Sequence, residues 1–365
     1  MVDARVIPLH DRGPLRAEQV SAGASGRTGE AVRGRSGRSD QDASVSPLRA
    51  VDPVAGAEAG GAGETPRTAG STPGAGAAGP AGAGAPAWEE RLAEVLAFLR
   101  RRLTGDYQVD EFGFDPELTD TVLMPLLRPL YEKWFRVEAI GLHNVPAEGA
   151  ALLVANHSGT LPLDALMTGL ALYDHHPARR HLRMLGADLV FRLPVISSLA
   201  RKAGHTLACN PDAERLLRSG ELVGVWPEGF KGIGKPFRDR YKLQRFGRGG
   251  FVSAALRTKA PIVPCAIVGA EEIYPKIGDL KVVARLFGLP YFPVTPLFPW
   301  FGPLGLVPLP SKWYIEFGEP IRTEDYPDGA EDDPMLVFNL TDQVRETIQQ
   351  TLYRLLTRRR NAFLG

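Results

Sequence analysis

The stretch from residue 151 to residue 164 reads ALLVANHSGTLPLD, and it decides the predicted fold. Its first five residues, Ala151–Ala155, form a short apolar run that is typical of a buried strand. The run ends at Asn156, where a polar turn begins, and Asp164 then precedes a helical pattern. A buried strand, a polar turn and a helix are the first half of a βα unit, so this stretch predicts an α/β fold.

The same alternation continues along the chain. Three further apolar runs, LVGVW, PIVPCAIV and WYIEF, predict strands over 222–226, 261–268 and 313–317. Helical patterns predict helices over 164–172, 212–218, 249–258 and 333–360. Strands that alternate with helices favour a mostly parallel central sheet flanked by helices.

Composition divides the chain into three parts. Residues 1–86 are rich in Gly, Ala, Pro, Ser and Arg, and they hold too few large apolar side chains to offset chain entropy. We therefore predict a disordered N-terminal tail. Residues 87–135 predict an N-terminal helical pair, and residues 136–365 hold the α/β pattern and a long C-terminal helix.

The predicted helical pair consists of Trp88–Leu103 and a second helix from Pro116 to Phe135. Asp115 is the predicted N-cap of the second helix, and a proline follows it in the first turn. Its predicted apolar side contains four leucines: Leu123, Leu126, Leu127 and Leu130. Two readings stay open, because the pair either packs on the core or forms a lipid-facing membrane platform.

Charge and cysteine content exclude little on their own. The formal net charge of +1 points to no class of partner. Cys209 and Cys265 lack metal-ligand spacing, so we expect two buried thiols. We also expect no metal and no cofactor. The sequence shows neither a secretory signal nor a clean transmembrane helix. We predict a cytoplasmic protein that contacts the inner face of a membrane peripherally.

The polar turn carries the first candidate chemistry, His157 followed by Asp164. A neutral imidazole takes a proton from an alcohol near physiological pH. A carboxylate on the other ring nitrogen fixes the tautomer and stabilises the imidazolium. Residue types and spacing also allow a structural histidine with a capping Asn or Ser.

The second candidate site follows the strand that ends at Trp226. Glu228 and Gly229 follow it after Pro227, and seven cations then accumulate: Lys231, Lys235, Arg238, Arg240, Lys242, Arg245 and Arg248. Cations near backbone amides suit a phosphate group, and glycines before a predicted helix at Phe251 add a possible anion site. The alternative is a solvated basic loop. Nucleic-acid binding fits less well, because a strongly apolar segment follows.

That apolar segment is Leu286–Ser311, which contains seven prolines and no charged residue. Its proline density excludes a regular membrane-spanning helix. An exposed loop of this kind is suited to the bilayer interface, with Trp300 and Tyr291 at the headgroup level. The alternative is an irregular loop packed over the sheet.

At four blocks in order, the chain resembles the glycerolipid (lysophospholipid) acyltransferase superfamily, and 1-acylglycerol-3-phosphate acyltransferases in particular. NHSGTLPLD (156–164) resembles the Asn-His…Asp signature, and FRLP (191–194) resembles the second block. PEGFK (227–231) resembles Pro-Glu-Gly-Thr-Arg, and APIVP (260–264) resembles the final Pro-Ile-Val-Pro block.

The resemblance implies transfer of a fatty acyl group from acyl-CoA or acyl carrier protein to a lysophosphatidate-like glycerolipid, as in phospholipid biosynthesis. By matched position, His157 is the general base and Asp164 its partner. The implied acceptor and phosphate residues are Glu228, Gly229, Lys231, Arg238 and Lys242, and Pro264 lies on the acyl-donor side. Six residues separate His157 from Asp164 where the family usually has four, and Phe230-Lys231 replaces Thr-Arg. The longer first block also resembles outlying branches of the superfamily that acylate neutral acceptors.

The mechanism predicted from these residues needs no covalent acyl-enzyme. Oxyanion donors are expected from amides of 156–159 or 261–265. The alternative function is a non-catalytic lipid-binding or scaffold protein on the same fold, which the altered spacing favours. A serine hydrolase is a poor third reading, because the sequence has no Gly-x-Ser-x-Gly turn.

Overall fold

The computed structural model describes residues 87–364, and the predicted tail over 1–86 lies outside them. The helices are α1 Ala87–Thr104, α2 Pro116–Leu118, α3 Met124–Pro129, α4 Leu163–His175, α5 Asp188–Arg192, α6 Pro194–Lys202, α7 Asn210–Arg218, α8 Phe230–Ile233, α9 Gly250–Thr258, α10 Lys281–Leu286 and α11 Pro334–Arg358. The strands are β1 Glu138–Ile140, β2 Ala151–Ala155, β3 Leu182–Gly186, β4 Thr206–Leu207, β5 Leu222–Val225, β6 Ile262–Val268, β7 Gly278–Asp279, β8 Pro293–Val294 and β9 Tyr314–Phe317.

Seven of these strands form one sheet in the order β1-β9-β6-β2-β5-β3-β4. All neighbouring pairs are parallel except β6 and β9. The central strand β2 pairs with β6 at Leu152↔Ile262 and with β5 at Leu152↔Val223. The prediction of a mostly parallel sheet flanked by helices is confirmed.

The sheet separates two apolar cores. Leu153 belongs to the core that contains α4, whereas Leu152 and Val154 belong to the core that contains α7, α9 and α11. Every residue of β2 is buried. This explains why the strand reads as an unbroken apolar run, since neither face of a covered parallel sheet meets water.

The second N-terminal helix is less regular than predicted. Asp115 caps it by accepting from the Leu118 N–H, but π-helical turns over Thr119–Leu123 and Leu130–Trp134 flank α3. Pro129 lies inside this rod, and prolines remove helical amide donors. The predicted apolar side is partly wrong, because Leu126 is 70% exposed. The core contacts come from two of the predicted leucines, Leu127 and Leu130, and from Met124 and Tyr131.

The predicted apolar loop has more structure than expected. It begins at the last residue of α10 and includes β8, which pairs with β7 outside the loop, and the 3₁₀ helix Gly302–Leu306. Trp300 is 72% exposed, as an interfacial residue requires. The prediction for Tyr291 is wrong, because its hydroxyl points inward and donates to the Thr160 carbonyl at 2.6 Å. No helix over 87–364 is long and apolar enough to cross a bilayer.

Candidate active site

His157 and Asp164 lie in direct contact at the carboxyl end of β2. Their Nδ1 and Oδ2 atoms are 2.7 Å apart. The Asp164 side chain is fully buried, whereas the His157 side chain keeps 14% of its surface exposed. Asp164 also accepts the Ser158 amide on Oδ2 and the Ala165 amide on Oδ1. Asp164 therefore holds one ring nitrogen of His157 in place and leaves the other for chemistry.

The six-residue separation closes because the turn doubles back at two residues with left-handed backbone. Gly159 has φ +95° and Thr160 has φ +65°. A Cβ at Gly159 would lie 2.6 Å from the Ala270 carbonyl oxygen, so only glycine fits there. The Thr160 amide donates to the Ile233 carbonyl at 3.1 Å, which fixes the turn against α8. The geometric prediction that Asp164 reaches His157 is confirmed.

Asn156 anchors the start of the turn to the neighbouring strand. Its side-chain Nδ2 donates to the Ile267 carbonyl at 3.0 Å, and its Oδ1 accepts the Ile267 amide at 2.7 Å. Both side-chain groups thus bind one residue of β6. Asn156 extends the β2–β6 pairing past the end of the strand and fixes the position of the histidine that follows.

Glu228 holds the His157 backbone from the other side. Its Oε1 accepts the His157 amide at 2.8 Å, and its Oε2 accepts the Gln244 amide at 2.6 Å. The Glu228 side chain is fully buried, and burial raises the pKa of its carboxyl group, an effect that nearby Lys235 opposes. Its two oxygens bind main-chain amides, so the contacts give Glu228 a positioning role. Its predicted role at the acceptor stays untested.

Of the cations between residues 231 and 248, Lys235 forms ion pairs in the buried surroundings of Glu228. Its side chain is 5% exposed, and its Nζ lies 2.7 Å from Glu271 Oε1 and 3.7 Å from Glu228 Oε2. Burial raises the pKa of Glu271 to about 7, although Lys235 acts against that rise. One buried cation thus compensates two buried carboxylates, because an unpaired charge in this interior is strongly unfavourable.

The other predicted binding residues lie apart from the pair. Lys231, Arg238 and Lys242 are exposed, and no contact over 87–364 joins their side chains to His157 or Asp164. Gly229 has φ +54° at the start of α8. Pro264 is buried within β6, opposite Val154 in β2. Their predicted roles at the acceptor and at the acyl donor stay predictions.

The expected oxyanion donors are partly wrong. The His157 amide binds Glu228, and the Ser158 amide binds Asp164, so neither is free for an oxyanion. Pro261 has no amide hydrogen, and residues 262–265 belong to the paired and buried part of β6. Within the described chain, the Ser158 hydroxyl is buried without a hydrogen-bond partner. Ser158 therefore has no base on its oxygen, which argues against a serine nucleophile.

Two contributors escaped the sequence analysis, Lys235 as the buried cation and Tyr291 as a contact to the turn. Tyr291 packs under the Lys276 ammonium, which lies 4.5 Å from its ring centroid. Beside the turn residues Gly159 and Thr160, a small cavity of about 10 Å³ is lined by Lys235, Glu271, Tyr274 and Lys276. Over 87–364, no cluster of His, Cys, Asp and Glu could hold a metal ion.

Comparison with known proteins places this chain in a family. The family model described as Acyltransferase matches residues 136–268. An uncharacterized protein of Mycobacterium tuberculosis is 68% identical over 274 residues, which cover 75% of this chain and 76% of the relative. A Gallus gallus protein named "DGAT1/2-independent enzyme synthesizing storage lipids" is 28% identical over 189 residues, or 52% and 53% of the two chains. This chain belongs to the glycerolipid acyltransferase superfamily.

The acyltransferase match ends with β6, so it includes His157, Asp164, Glu228 and Lys235, whereas Glu271 and Tyr291 lie beyond it. Among solved structures, the 1-acyl-sn-glycerophosphate (LPA) acyltransferase PlsC from Thermotoga maritima aligns with a TM-score of 0.42 and 18% identity. That alignment covers 62% of this acyltransferase and 74% of the other chain.

Proposed function

We propose that this acyltransferase moves a fatty acyl group from a thioester, acyl-CoA or acyl carrier protein, to a hydroxyl of a lysophosphatidate-like glycerolipid. His157 is the general base, and Asp164 is its orienting partner. The observation that carries the proposal is the 2.7 Å contact between His157 Nδ1 and a fully buried Asp164 carboxylate. That arrangement presents Nε2 as a proton acceptor and stabilises the imidazolium.

The proposed reaction proceeds in two steps. The acceptor hydroxyl gives its proton to His157 Nε2 while its oxygen attacks the thioester carbonyl carbon. The tetrahedral intermediate then collapses, the carbon–sulfur bond breaks, and His157 returns the proton to the leaving thiolate. The ester replaces the thioester, so no redox partner, metal or cofactor takes part in the proposed balance.

The oxyanion of the intermediate needs amide donors. Of the turn amides, His157, Ser158 and Thr160 are already bonded. The Gly159 amide has no acceptor among the described contacts. We assign it as one oxyanion donor, since it lies two residues from the base and on the same turn.

The test combines purified full-length protein with labelled acyl-CoA or acyl carrier protein and a panel of acceptors. The panel contains glycerol 3-phosphate, lysophosphatidate, lysophosphatidylcholine and diacylglycerol. Formation of labelled phosphatidate supports the proposal, and the His157→Ala variant is expected to form none. His143→Ala is the matched control, because His143 is exposed on a separate 3₁₀ turn.

The same panel separates the alternatives. Labelled triacylglycerol in place of phosphatidate would reassign the acceptor while keeping the base. Lipid binding without transfer to any acceptor would favour a non-catalytic scaffold. Ser158→Ala is expected to retain transfer, and an acyl group trapped on Ser158 would overturn the proposed mechanism.

A further inference from the structure

Residues 277–307, called here the apolar lobe, leave large apolar side chains in solvent. On α10, Val282 and Leu286 are each 80% exposed and lie one helical turn apart. The turn before and within the 3₁₀ helix exposes three more: Trp300, Phe301 and Leu304. Such clustered exposure is typical of a surface that binds something apolar.

The apolar lobe is fastened to the core at its base, so these side chains are held at fixed positions. The β7–β8 hairpin pairs Gly278 with Val294. The Leu309 amide donates to the Ile273 carbonyl at 2.9 Å, just beyond the lobe. The side of α10 that carries Ala284 is buried. The exposed side chains of α10 therefore have no room to turn inward.

Charge on the apolar lobe selects the kind of partner. Lys281 and Arg285 also lie one turn apart on α10, next to the Val282–Leu286 row, and both are exposed. Within the described residues, neither has a carboxylate in ion-pair range. Asp279 is the single acid of the lobe sequence, and it accepts the Phe292 amide and faces Lys276. The exposed charges of α10 are thus positive.

The position of the apolar lobe links it to the site. The lobe follows β6, and β6 runs parallel to β2, so it begins at the same sheet edge as His157. Tyr291 joins the two directly through its bond to the Thr160 carbonyl at 2.6 Å. Beyond β3, which also ends at this edge, α6 exposes Val195, Ile196 and Leu199.

We propose that the apolar lobe docks on a bilayer containing anionic phospholipids, with Val282, Leu286 and Trp300 in the interface and Lys281 and Arg285 at the headgroup phosphates. Apolar insertion supplies adhesion, and the cations supply preference for negative lipid. This inference rests on the proposed function only for its lipid acceptor, which then reaches His157 from the bilayer on which the protein lies.

The experiment is co-sedimentation of the full-length protein with two kinds of vesicle. One kind contains phosphatidylcholine alone, and the other contains phosphatidylcholine with about 30% phosphatidylglycerol. We expect stronger binding to the anionic vesicles and loss of that preference at high salt. Arg285→Gln is expected to weaken anionic binding about fivefold. Arg322→Gln, an exposed cation beyond the opposite end of β6, is the matched control and is expected to bind normally.

The apolar contribution is tested with Val282→Ser/Leu286→Ser, which is expected to reduce binding to both vesicle types about tenfold or more. Met335→Ser/Phe338→Ser on α11 removes similarly exposed side chains elsewhere and is the control. Equal binding of wild type and the α10 variants would overturn the proposal. A dimer that dissociates in the α10 variant, without vesicle binding, would assign the surface to a second copy instead.

Failure of docking and failure of the proposed function remain distinguishable. Sedimentation requires no turnover, so docking is measured in His157→Ala as well as in wild type. Transfer to a monomeric short-chain acceptor requires no vesicle. Vesicle binding without transfer would therefore refute the proposed chemistry alone, and transfer without vesicle binding would refute the docking surface alone.

Discussion

Asp164→Asn is the most informative single change, because it keeps the shape of the side chain and removes its charge. The carboxylate accepts three donors: His157 Nδ1, the Ser158 amide and the Ala165 amide. An asparagine offers one oxygen and one NH2 group. With the oxygen toward His157, the NH2 faces the Ala165 amide. In the flipped orientation, the NH2 faces the Ser158 amide and His157 adopts the wrong tautomer.

Each orientation leaves one buried amide without an acceptor, which lowers the free energy of unfolding by about 1–3 kcal/mol. The catalytic loss is larger. One orientation removes the basic Nε2, and the other removes the negative charge opposite the imidazolium. General-base catalysis contributes about 10²–10⁴-fold, so we expect kcat to fall by that factor with KM nearly unchanged.

The assay follows initial rates of transfer from labelled acyl-CoA and, in parallel, urea unfolding. Asp174→Asn is the matched control, because Asp174 lies on the same helix and accepts two guanidinium bonds from Arg128. The control is expected to lose stability but keep kcat. An Asp164→Asn enzyme with more than about a tenth of wild-type kcat would refute the pairing as the source of the base.

Three further outcomes follow from the buried network around the site. Glu228→Gln leaves one buried amide without an acceptor, so the free energy of unfolding measured in urea falls by about 1–3 kcal/mol. The kcat also falls, because His157 loses its backbone anchor. An unchanged kcat would show that Glu228 does not position His157. Because burial raises the pKa of Glu271 to about 7, the folded state binds its proton more tightly, and this group lowers stability as pH rises from about 4.5 to about 7. Glu271→Gln is expected to flatten that slope in unfolding measured across the range, and an unchanged slope would contradict the raised pKa. Tyr291→Phe removes one hydrogen bond, so the thermal midpoint falls because the free energy of unfolding drops by about 0.5–1.5 kcal/mol. Substrate presented in vesicles is also expected to turn over more slowly. Full turnover would show that the bond from Tyr291 to the turn is dispensable.

Three of the four strands that sequence reasoning found, β2, β5 and β6, are apolar on both faces. The predicted 151–155 strand matches β2 at both ends, and the predicted 261–268 strand differs from β6 by one residue. β3 escaped because Arg183 interrupts its apolar pattern. The structure buries Arg183 by pairing it with Asp110 and Glu221. Those partners come from distant parts of the chain, so no local sequence pattern predicts the ion pairs.

The candidate site divides in a similar way. His157 and Asp164 were predictable because both lie on one turn after an unmistakable strand. Lys235 was not, since a run of seven cations gives no indication of which one is buried. Tyr291 reaches a main-chain carbonyl that is 131 residues away in the sequence. Because the acceptor is a backbone carbonyl, the contact requires no particular residue type at that position, and the sequence therefore gives no sign of it.

The left-handed excursion at Gly159 and Thr160 affects how such enzymes are recognised in genomes. Gly159 and Thr160 stay buried where the chain doubles back, and Thr160 bonds to α8 and to Tyr291, while the flanking histidine and aspartate stay together. A text search that demands a constant interval between these two letters would discard this chain. A query written as imidazole and carboxylate on one strand-to-helix connection would retain it.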